Sequence, residues 1–481
     1  VRVIRAAREL GVRTAAVYSE TDRDCIHVLL ADEAYCIGPP PSVESYLSVD
    51  RIVEAAISSK AEAVHPGYGF LAENPNLARA CQENGLVFIG PNAEAMEAMG
   101  DKIFAKESVS KRRVPVVPGT SGLKDLEGAR RKAAEIGYPL LIKAALGGGG
   151  KGMRIVTAPQ ELEEAFKLAS QEAGAAFGDP TVYIEKLISN PRHIEFQILA
   201  DSYGNVIHLY ERECSIQRRH QKLVEETPSR ALNDSLRKRM GEAAVEAAKA
   251  VGYTNAGTIE FMFEGEGNFY FMEMNTRLQV EHPVTEVTTG VDLVKEQFKI
   301  ACGERLSLSQ EDLRKEGAAI ECRIYAEDPR QGFLPCPGKI EVLREPSGPG
   351  VRVESGVYQG YQIPVYYDPL IAKLISWGKD REEAIKRMRR ALSEYRIVGV
   401  TTTLGFHQMV MEDERFVSGT YNTAFIQEMD LGAWERGGEE LAVMASSIAA
   451  LRGGRERRKA VSPKTEGMNP WKLTGRREAM G

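Results

Sequence analysis

The chain has 481 residues, enough for about three domains and a large buried core. A hydrophobic content of 43% and a charged content of 27% are typical of a globular protein. The net charge of −6 argues against a general attraction to nucleic acid or anionic membranes. No apolar run approaches the length of a membrane span, and no signal peptide opens the sequence. The seven Cys residues stand singly, which predicts reduced thiols in a cytoplasmic protein.

Residues 1–98 alternate between strand-like and helical patterns, and this alternation predicts a parallel α/β sheet. The strand-like runs are 13–18, 33–37, 61–65 and 86–89, and the helical patterns are 1–10, 45–58 and 72–84. The sequence opens inside a helical pattern where a βα unit normally has a strand, so we expect the first strand to be missing. The His-Pro-Gly-Tyr-Gly-Phe segment at 65–70 follows the third strand, where parallel sheets place ligands, but it fits a plain turn equally well.

Two further regions are expected, an α+β region at about 99–315 and another at about 316–430. In the first, strands are predicted at 139–145, 153–157, 181–186, 192–200, 205–212, 255–263 and 268–275, with helices near 102–111, 125–136, 159–173, 234–251 and 291–302. The second opens with a strand at 318–325 and ends with helices near 380–393 and 404–412. Residues 431–481 hold a short predicted helix, 438–451, and a basic tail that is expected to be flexible or to bind a partner.

A glycine-rich loop lies between the first two strands of the second region. Its sequence, Leu-Gly-Gly-Gly-Gly-Lys-Gly at 146–152, matches GxGxxG, but a strand rather than a helix follows, so the Rossmann interpretation fails. The Walker A pattern fails as well, because Ala145 occupies its first glycine position. Flanking strands favour a flap that lays backbone N–H groups over phosphates, with a flexible linker as the alternative. Lys143 and Lys102 are the candidate phosphate ligands next to it.

Polar side chains alternate with apolar ones along residues 273–281. If this segment is extended, one face carries Glu273, Asn275, Arg277, Gln279 and Glu281, and the other carries Met274, Leu278 and Val280. The Glu-Gly-Glu-Gly-Asn turn at 264–268 would bring Glu260 close to opposite Glu273. Two facing carboxylates need a positive charge between them, and with an amide oxygen they suit Mg²⁺. The alternative is the polar outer face of an antiparallel sheet.

A second group of polar residues precedes this strip. Glu185 and Lys186 end a predicted strand, and His193 lies in the next one. Residues 211–222 then place many hydrogen-bonding side chains within twelve positions. An anion pocket is the functional interpretation of this run, and a solvated charged loop is the alternative.

Taken together, these motifs closely resemble biotin carboxylase, the ATP-grasp component of biotin-dependent carboxylases such as acetyl-CoA carboxylase. The resemblance covers residues 1 to about 430 and is carried by Lys143 with the 147–152 loop, Arg-Arg-His-Gln-Lys at 218–222, residues 273–286, and Phe-Leu-Pro-Cys-Pro-Gly at 333–338. It implies an N-terminal α/β domain at 1–98, an ATP-grasp domain at 99–315 with a lid at about 115–190, and a C-terminal α+β domain at 316–430. Cys336 stands where Ser is common in the family.

The resemblance also implies an activity. Such enzymes use MgATP and bicarbonate to carboxylate biotin held on a biotin carboxyl carrier protein, through carboxyphosphate. A carboxyltransferase would then pass the carboxyl group to acetyl-CoA, propionyl-CoA or pyruvate, and acetyl-CoA would connect the chain to fatty acid biosynthesis. No Met-Lys-Met attachment site occurs in the sequence, so the carrier is expected on a separate chain or segment. The family usually forms homodimers.

By motif match, the resemblance assigns each site residue a role. Glu260, Glu273 and Asn275 would hold Mg²⁺ or Mn²⁺, and Lys222, Arg277, Gln279 and Val280 would bind bicarbonate. Glu281 would be the base that deprotonates bicarbonate, Arg323 would stabilise the biotin enolate, and Lys222 and Arg277 would join them as catalytic residues. The nucleotide would contact Lys102, Lys143, Gly148, Gly149, Gly150, Gly152, Met153, Glu185, Lys186, Ile188, His193, Gln217, His220 and Met262.

Two alternatives remain open from the sequence. One is another ATP-grasp ligase, similar to carbamoyl-phosphate synthetase or a purine carboxylase, which would share the nucleotide-binding half. Arg323 together with the 277–281 bicarbonate set distinguishes the two. The other is a non-catalytic regulatory or scaffolding protein, which the intact acids at 260, 273 and 281 disfavour.

Overall fold

A computed structural model describes residues 1–120, 122–123, 125–144 and 153–431. Residues 1–429 form one compact unit, and residues 430–481 are grouped separately. The predicted helix at 438–451, the basic tail and Gly148, Gly149, Gly150 and Gly152 lie outside the described residues. Among the described residues, no helix is both long and apolar enough to cross a membrane. All seven cysteines are free.

Short parallel strand pairs and helices build the N-terminal region, as the alternating pattern predicts. Its elements are α1 (Arg2–Glu9), β1 (Ala15–Tyr18), α2 (Ile26–Leu30), β2 (Glu33–Cys36), α3 (Val49–Ser58), β3 (Ala63–Val64), α4 (Pro75–Glu83), β4 (Val87–Phe88) and α5 (Ala93–Gly100). Strand β1 pairs with β2 and β3 pairs with β4, both in parallel. Side-chain caps fix several helix starts: Asn74 accepts hydrogen bonds from the backbone of α4, and Pro75 suits the first helical position.

A three-stranded antiparallel sheet with two helices forms the region of the predicted lid. Its elements, preceded by α6 (Lys102–Lys111), are α7 (Leu126–Ile136), β5 (Leu140–Ala144), β6 (Arg154–Val156), α8 (Leu162–Phe177) and β7 (Val182–Lys186), with strand order β6-β5-β7. Leu140, Ile142 and Ala144 alternate toward the helices and pack against Ala129 and Ala169. This small sheet therefore has a hydrophobic core of its own.

An eight-stranded antiparallel sheet forms the centre of the described unit. Its order is β12-β11-β8-β9-β10-β13-β18-β17. The elements up to residue 301 are β8 (Arg192–Ala200), β9 (Val206–Arg218), β10 (Gln221–Thr227), α9 (Asp234–Lys249), β11 (Asn255–Gly265), β12 (Asn268–Asn275), α10 (His282–Thr289) and α11 (Leu293–Ala301). The sheet is continuous across residue 315, where a domain boundary is predicted, and the boundaries stay predictions.

The remaining elements complete this sheet and cover it. They are β13 (Ala318–Tyr325), β14 (Glu327–Asp328), β15 (Leu334–Pro335), β16 (Val342–Arg344), β17 (Val351–Ser355), β18 (Leu370–Gly378), α12 (Arg381–Glu394), β19 (Arg396–Val398), α13 (Leu404–Glu412) and α14 (Glu414–Ser418). Val284 on α10 packs against Ala319 and Ile375, so α10 lies on one face of β13 and β18.

Strand β8 shows how the sheet separates its two faces. Ile194, Phe196 and Ile198 pack toward α9 in one apolar cluster. The intervening residues Glu195 and Gln197 are fully buried on the opposite face. Because strand side chains alternate, burying the apolar set fixes polar residues on the other side. That opposite face holds the candidate site.

The predicted hairpin of Glu260 and Glu273 is confirmed, and its register places the two residues directly opposite each other. Glu266 and Gly267 both have positive φ, at 51° and 84°, as a type I′ turn requires.

The extended face predicted for residues 273–281 is wrong beyond Asn275. Strand β12 ends there, and residues 276–281 turn into α10. The backbone N–H of Thr276 donates to Glu73 Oε1 instead of continuing a ladder. Pro283 stands in the first turn of α10, where its missing N–H is tolerated. The alternating pattern is therefore produced by a turn with several buried side chains, which we call the 276–281 turn.

The segment 211–222 also differs from its prediction. The strand expected to end at 212 continues to Arg218, and β10 follows after Arg219 and His220, which have φ of 49° and 68°. The charged loop is thus a hairpin. Most of its polar residues are buried. The sequence therefore lacks the alternation of apolar and polar residues that is typical of a half-exposed strand.

Phe261→Ala should lower the free energy of unfolding by about 3–5 kcal/mol because it opens a cavity in the core. Phe261 is fully buried, and its ring lies edge-on to Phe196 and Phe269. The measurement is chemical unfolding monitored by circular dichroism. Phe104→Ala is the matched control, since Phe104 is 51% exposed, and its change should stay within about 1 kcal/mol. Equal losses in the two variants would contradict this core assignment.

Candidate active site

A single ammonium group joins three buried carboxylates at the centre of the site. Lys222 Nζ on β10 lies 2.5 Å from Glu195 Oε2, 2.7 Å from Glu260 Oε1 and 2.7 Å from Glu281 Oε1. Burial alone would lower the pKa of Lys222, but the three carboxylates outweigh burial and raise it well above its usual value. The ammonium is therefore held in its charged form with each of its three donors directed to a carboxylate.

Three acids stand side by side on neighbouring strands. The register aligns Glu195 on β8 with Glu260 on β11, and Glu260 with Glu273 on β12. Aligned like charges repel, so this row needs cations close to it. Burial raises the pKa of Glu260, but Lys222 and His193 outweigh it and hold the pKa well below the usual range. Burial and the charge of Glu260 raise the pKa of Glu273, which lies farther from Lys222.

Arg212 supports this row from within the sheet. It is fully buried, and its Nε donates to Glu195 Oε1 at 2.5 Å. Its two Nη atoms donate to Gln197, Thr285, Thr258 and Gln279 at distances of 2.8, 3.0, 3.1 and 2.6 Å. All five guanidinium donors are thus used, which ties three strands to the 276–281 turn and α10.

Glu281 stands between two cations. Its Oε1 accepts from Lys222, and its Oε2 accepts from Arg323 Nη2 at 2.9 Å. Burial would raise its pKa, but Lys222, Arg323 and Arg212 outweigh burial and hold the pKa below the usual range. Glu281 is therefore ionised in the structure, and its position at the cap of α10 aims it at both cations.

A second acid shares Arg323. Glu225 Oε1 on β10 accepts from Arg323 Nε at 2.6 Å, and Glu225 is paired in register with Glu321 on β13. Both acids are fully buried, and Glu321 accepts no hydrogen bond from the described residues. Burial raises the pKa of Glu225 to about 7 and that of Glu321 well above its usual value. Both acids therefore bind a proton more readily than an exposed glutamate does, and Glu225 is the hydrogen-bonding partner of Arg323.

The 276–281 turn carries the predicted bicarbonate residues, and the N-terminal region helps to hold it. Arg277 Nε lies 3.1 Å from Glu73 Oε2, and Arg277 Nη2 donates to Asn275 Oδ1 at 3.0 Å. Gln279 is buried, donates to Glu260 Oε1 at 2.8 Å and accepts from Arg212. The Val280 carbonyl accepts from Lys373 Nζ at 2.7 Å. These contacts bring Arg277, Gln279, Val280 and Glu281 to one edge of the acid row.

The predicted nucleotide residues come from two sheets. On β5 and β7, Lys143 Nζ lies 2.8 Å from Glu185, which is also paired with Lys106, and Lys186 donates to the carbonyls of Gly137 and Tyr138. On the large sheet, His193 Nε2 lies 3.0 Å from Glu260 Oε2. In the strand register, Met262 lies opposite His193, and Gln217 lies opposite Lys222.

The other predicted nucleotide residues lie outside these strands. His220 is in the β9–β10 turn, Ile188 is buried and Met153 is half-buried. Lys102 is the first residue of α6, and its charge partly offsets the rise that burial causes in the pKa of Glu273.

Sequence reasoning missed several residues that the structure brings to the site. They are Glu73, Lys106, Glu195, Arg212, Glu225, Glu321 and Lys373. One of them had a usable signal: Glu195 lies two residues after His193, on the same face of a predicted strand. The others belong to segments whose partners are distant in the chain.

The donor set of Glu260, Glu273 and Asn275 fits a hard divalent cation. Carboxylate and amide oxygens are suitable ligands, and Glu273 accepts no hydrogen bond within the part of the chain that the structure describes. Two other buried groups there bring three ligand atoms within 4.8 Å, His193 with Glu195 and Glu260, and Cys214 with Glu195 and Glu281. Lys222 contacts two acids in each of these groups, whereas Glu273 makes no ion pair with a described residue, so the set that includes Glu273 is the better metal site.

Glu225→Gln should make the protein relatively more stable as pH rises from 5 to 8. The folded pKa of Glu225 is raised to about 7, so the unfolded chain loses this proton first and the group costs stability above its unfolded pKa of 4.5. The variant lacks that cost. The difference in free energy of unfolding, variant minus unmodified protein, should therefore rise by up to about 3 kcal/mol between pH 5 and pH 8. Urea unfolding at several pH values measures the difference. The exposed Glu304→Gln control should follow the unmodified protein at every pH.

Three family models match the chain in order: the biotin carboxylase N-terminal domain at 1–96, the ATP-binding domain of the carbamoyl-phosphate synthase L chain at 101–309, and the biotin carboxylase C-terminal domain at 321–428. The chain is 58% identical over 431 residues to a biotin carboxylase of Nostoc sp., covering 89% of this chain and 96% of that one. It is 57% identical over 433 residues to biotin carboxylase 1 of Bacillus subtilis, covering 90% and 96%.

A solved structure agrees with these matches. The biotin carboxylase domain dimer of Hydrogenobacter thermophilus 2-oxoglutarate carboxylase, in complex with MgADP, ADP and bicarbonate, superposes with a TM-score of 0.83 at 53% identity, covering 89% of this chain and 94% of that one. The parallel N-terminal pairs, the large antiparallel sheet and the buried acid row all lie within the matched part. The chain therefore belongs to the biotin carboxylase family of ATP-dependent ligases.

Proposed function

We propose that this chain uses ATP and bicarbonate to carboxylate biotin on a separate carrier protein, through carboxyphosphate. The observation that carries this proposal is the placement of Glu281 between Lys222 and Arg323, beside a row of acids suited to a metal–nucleotide complex. The related domain from H. thermophilus was solved with MgADP and bicarbonate, which supports the same ligands here.

Nucleotide binding falls to the lid sheet and the acid row. Lys143, Glu185 and Lys186 line the lid side, and His193, Gln217, His220 and Met262 line the large sheet. Glu260, Glu273 and Asn275 would hold Mg²⁺ or Mn²⁺, which supplies charge neutralisation for the phosphates when bound. In-line phosphoryl transfer needs positioned charge more than covalent help, and the lysines provide it.

Bicarbonate binds in this proposal where Arg277, Gln279, Val280 and Lys222 converge. Glu281 is a weak base while Lys222 and Arg323 both bond to it, because their charges hold its pKa below the usual range. An anionic substrate competes for the same cations. Each hydrogen bond that moves from Glu281 to bicarbonate raises the proton affinity of the carboxylate. Substrate binding itself thus prepares the base.

The reaction then proceeds in two stages. Glu281 accepts the bicarbonate proton, the freed oxygen bonds to the γ-phosphorus, and the bond to ADP breaks to leave carboxyphosphate. The bond between the carboxyl carbon and the phosphate oxygen of carboxyphosphate then breaks to give CO₂ and phosphate. The released phosphate accepts the proton of the biotin ureido nitrogen, and that nitrogen bonds to CO₂. Arg323, held by Glu225 and Glu281, would stabilise the enolate form of biotin by its charge.

The partners and the final acceptor are matters of proposal. A biotin carboxyl carrier protein and a carboxyltransferase would complete the pathway, and a homodimer is expected because the related domain was solved as a dimer. Relatives are named for pyruvate and for 2-oxoglutarate carboxylases as well as for biotin carboxylase itself. Acetyl-CoA or propionyl-CoA is thus one class of acceptor and a keto acid the other. The unpaired cysteines support a cytoplasmic location.

The purified chain should form ADP from ATP only when bicarbonate is present, and free biotin should increase the rate. Coupled ADP detection measures the rate, and trapping of labelled carboxybiotin identifies the product. ADP formation that ignores biotin but requires another carboxylate or an amine would identify a different ATP-grasp ligase.

Glu281→Gln should bind MgATP normally and lose at least about 100-fold of the bicarbonate-dependent rate, because a general base typically contributes 10²–10⁴-fold. Lys222→Ala should also keep nucleotide binding and lose turnover. It leaves three buried carboxylates without their shared cation, so its thermal stability is measured first. Calorimetry with MgATP tests binding in both variants. Loss of nucleotide affinity in both to the same extent would contradict this division of roles.

A further inference from the structure

Lys373 on β18 is a buried cation that contacts the 276–281 turn from behind. The residue is 2% exposed, and its Nζ donates to the Val280 carbonyl at 2.7 Å and lies 2.8 Å from Glu354 Oε2. Val280 lies between Gln279 and Glu281, so one hydrogen bond reaches the centre of the proposed bicarbonate set. A buried ion pair contributes little net stability, because desolvation cancels most of the Coulomb attraction. The contact between Lys373 and the Val280 carbonyl is therefore more informative about the role of Lys373 than the ion pair is.

The groups around Lys373 come from four elements. Glu354 on β17 and Arg323 on β13 are its register partners, and Glu321 on β13 also acts on it by charge. The Tyr68 ring, from the N-terminal 65–70 segment, lies 5.7 Å from Nζ, and the charge of Lys373 reaches His282 on α10. Burial lowers the pKa of Lys373, but Glu354 and Glu321 outweigh burial and raise it. The side chain is charged, although it stands next to the cationic Arg323.

An alternating chain of charges fixes Lys373 in place. Glu354 Oε1 accepts from Arg352 Nε at 3.0 Å, and Arg352 Nη1 lies 2.9 Å from Glu286 Oε2 on α10. Glu286 Oε1 in turn accepts from Arg2 Nη2 of α1 at 2.8 Å. The network thus joins α1, α10 and β17 and ends at the Val280 carbonyl. Helix α10 begins directly after the 276–281 turn. The same charge network therefore contacts the turn itself, through Lys373, and the helix that follows it, through Glu286.

We propose that Lys373 is a positioning residue for bicarbonate: its hydrogen bond to the Val280 carbonyl holds the 276–281 turn so that the Val280 backbone N–H and the Arg277 and Gln279 side chains meet the anion together. The inference rests on the proposed function, since bicarbonate is the ligand that the turn is taken to bind. Lys373 itself touches no reacting atom in this proposal. It acts only through the peptide that it anchors.

Lys373→Met tests the role in kinetics. The variant keeps an unbranched side chain that is one heavy atom shorter, and it removes the charge and the hydrogen-bond donors. We expect the KM for bicarbonate to rise about tenfold or more, as loss of a hydrogen bond from a charged donor does, while the KM for ATP changes less than about twofold. Lys315→Met is the control, because Lys315 is half-buried near an acid, Glu211, and its ammonium lies over the Tyr210 ring rather than against the turn. It should change neither constant.

A second variant separates positioning from charge balance. Glu354→Gln/Lys373→Met removes the ion pair as a unit, so Glu354 is not left as a buried carboxylate without its partner, and the variant should fold even if the single variant does not. Its KM for bicarbonate should remain raised. Glu354→Gln alone keeps the Lys373–Val280 hydrogen bond and should raise that KM much less. A double variant with the unmodified KM for bicarbonate would overturn the proposal.

A measurement that does not use activity separates failure of this inference from failure of the proposed function. Hydrogen exchange of a peptide spanning residues 276–284 should be about tenfold faster or more in Lys373→Met than in Lys315→Met, in the absence of any ligand. If the unmodified chain forms no ADP with bicarbonate, the proposed function is wrong, but the exchange result still reports on the anchor. Unchanged exchange in the turn overturns the positioning role whatever the enzyme does. A rise in the KM values for ATP and bicarbonate by the same factor would also overturn it.

Discussion

The ammonium group of Lys222 and the three carboxylates around it are the interaction on which the rest of the site depends. Glu195, Glu260 and Glu281 come from β8, β11 and the start of α10, and each places an oxygen within 2.7 Å of the same nitrogen. Without this cation the aligned acids of the sheet would repel one another in a buried environment. Its presence lets the sheet keep a row of buried acids on one face, which is the face proposed to bind the metal–nucleotide complex.

Arg212 and Arg323 extend the same principle. Arg212 neutralises the row from within the sheet and uses all five of its donors, so it fixes the 276–281 turn against three strands. Arg323 balances Glu281 on one side and Glu225 on the other. Each of these cations therefore already pairs with a buried carboxylate in the structure. In the proposed function, an incoming anion would exchange hydrogen bonds that already exist in this cluster, which would lower the reorganisation that binding requires.

The site is assembled from distant parts of the chain by one continuous sheet. The side chains of Glu73 and Arg277 are 204 positions apart, and those of Glu225 and Arg323 are 98 apart. The register between β10 and β13 makes the second contact possible, because it extends the central sheet into the region beyond residue 315. Deletion of the N-terminal region would thus remove Glu73 from the site, and deletion of the region beyond residue 315 would remove Arg323.

The sequence by itself determined the contacts that depend on neighbouring residues. The Glu264–Asn268 turn and the strands beside it are local, so the opposition of Glu260 and Glu273 could be predicted and is confirmed by the register. The same reasoning failed at Asn275, since a period of two does not distinguish a strand from a turn whose alternate side chains are buried by other elements. It also missed β10, because its charged residues face other charges across the sheet and not solvent. Only the tertiary structure decided that Lys222 lies among three acids, that Glu225 holds Arg323 and that Lys373 reaches Val280, because each of these contacts is set by strand order and register across long sequence separations.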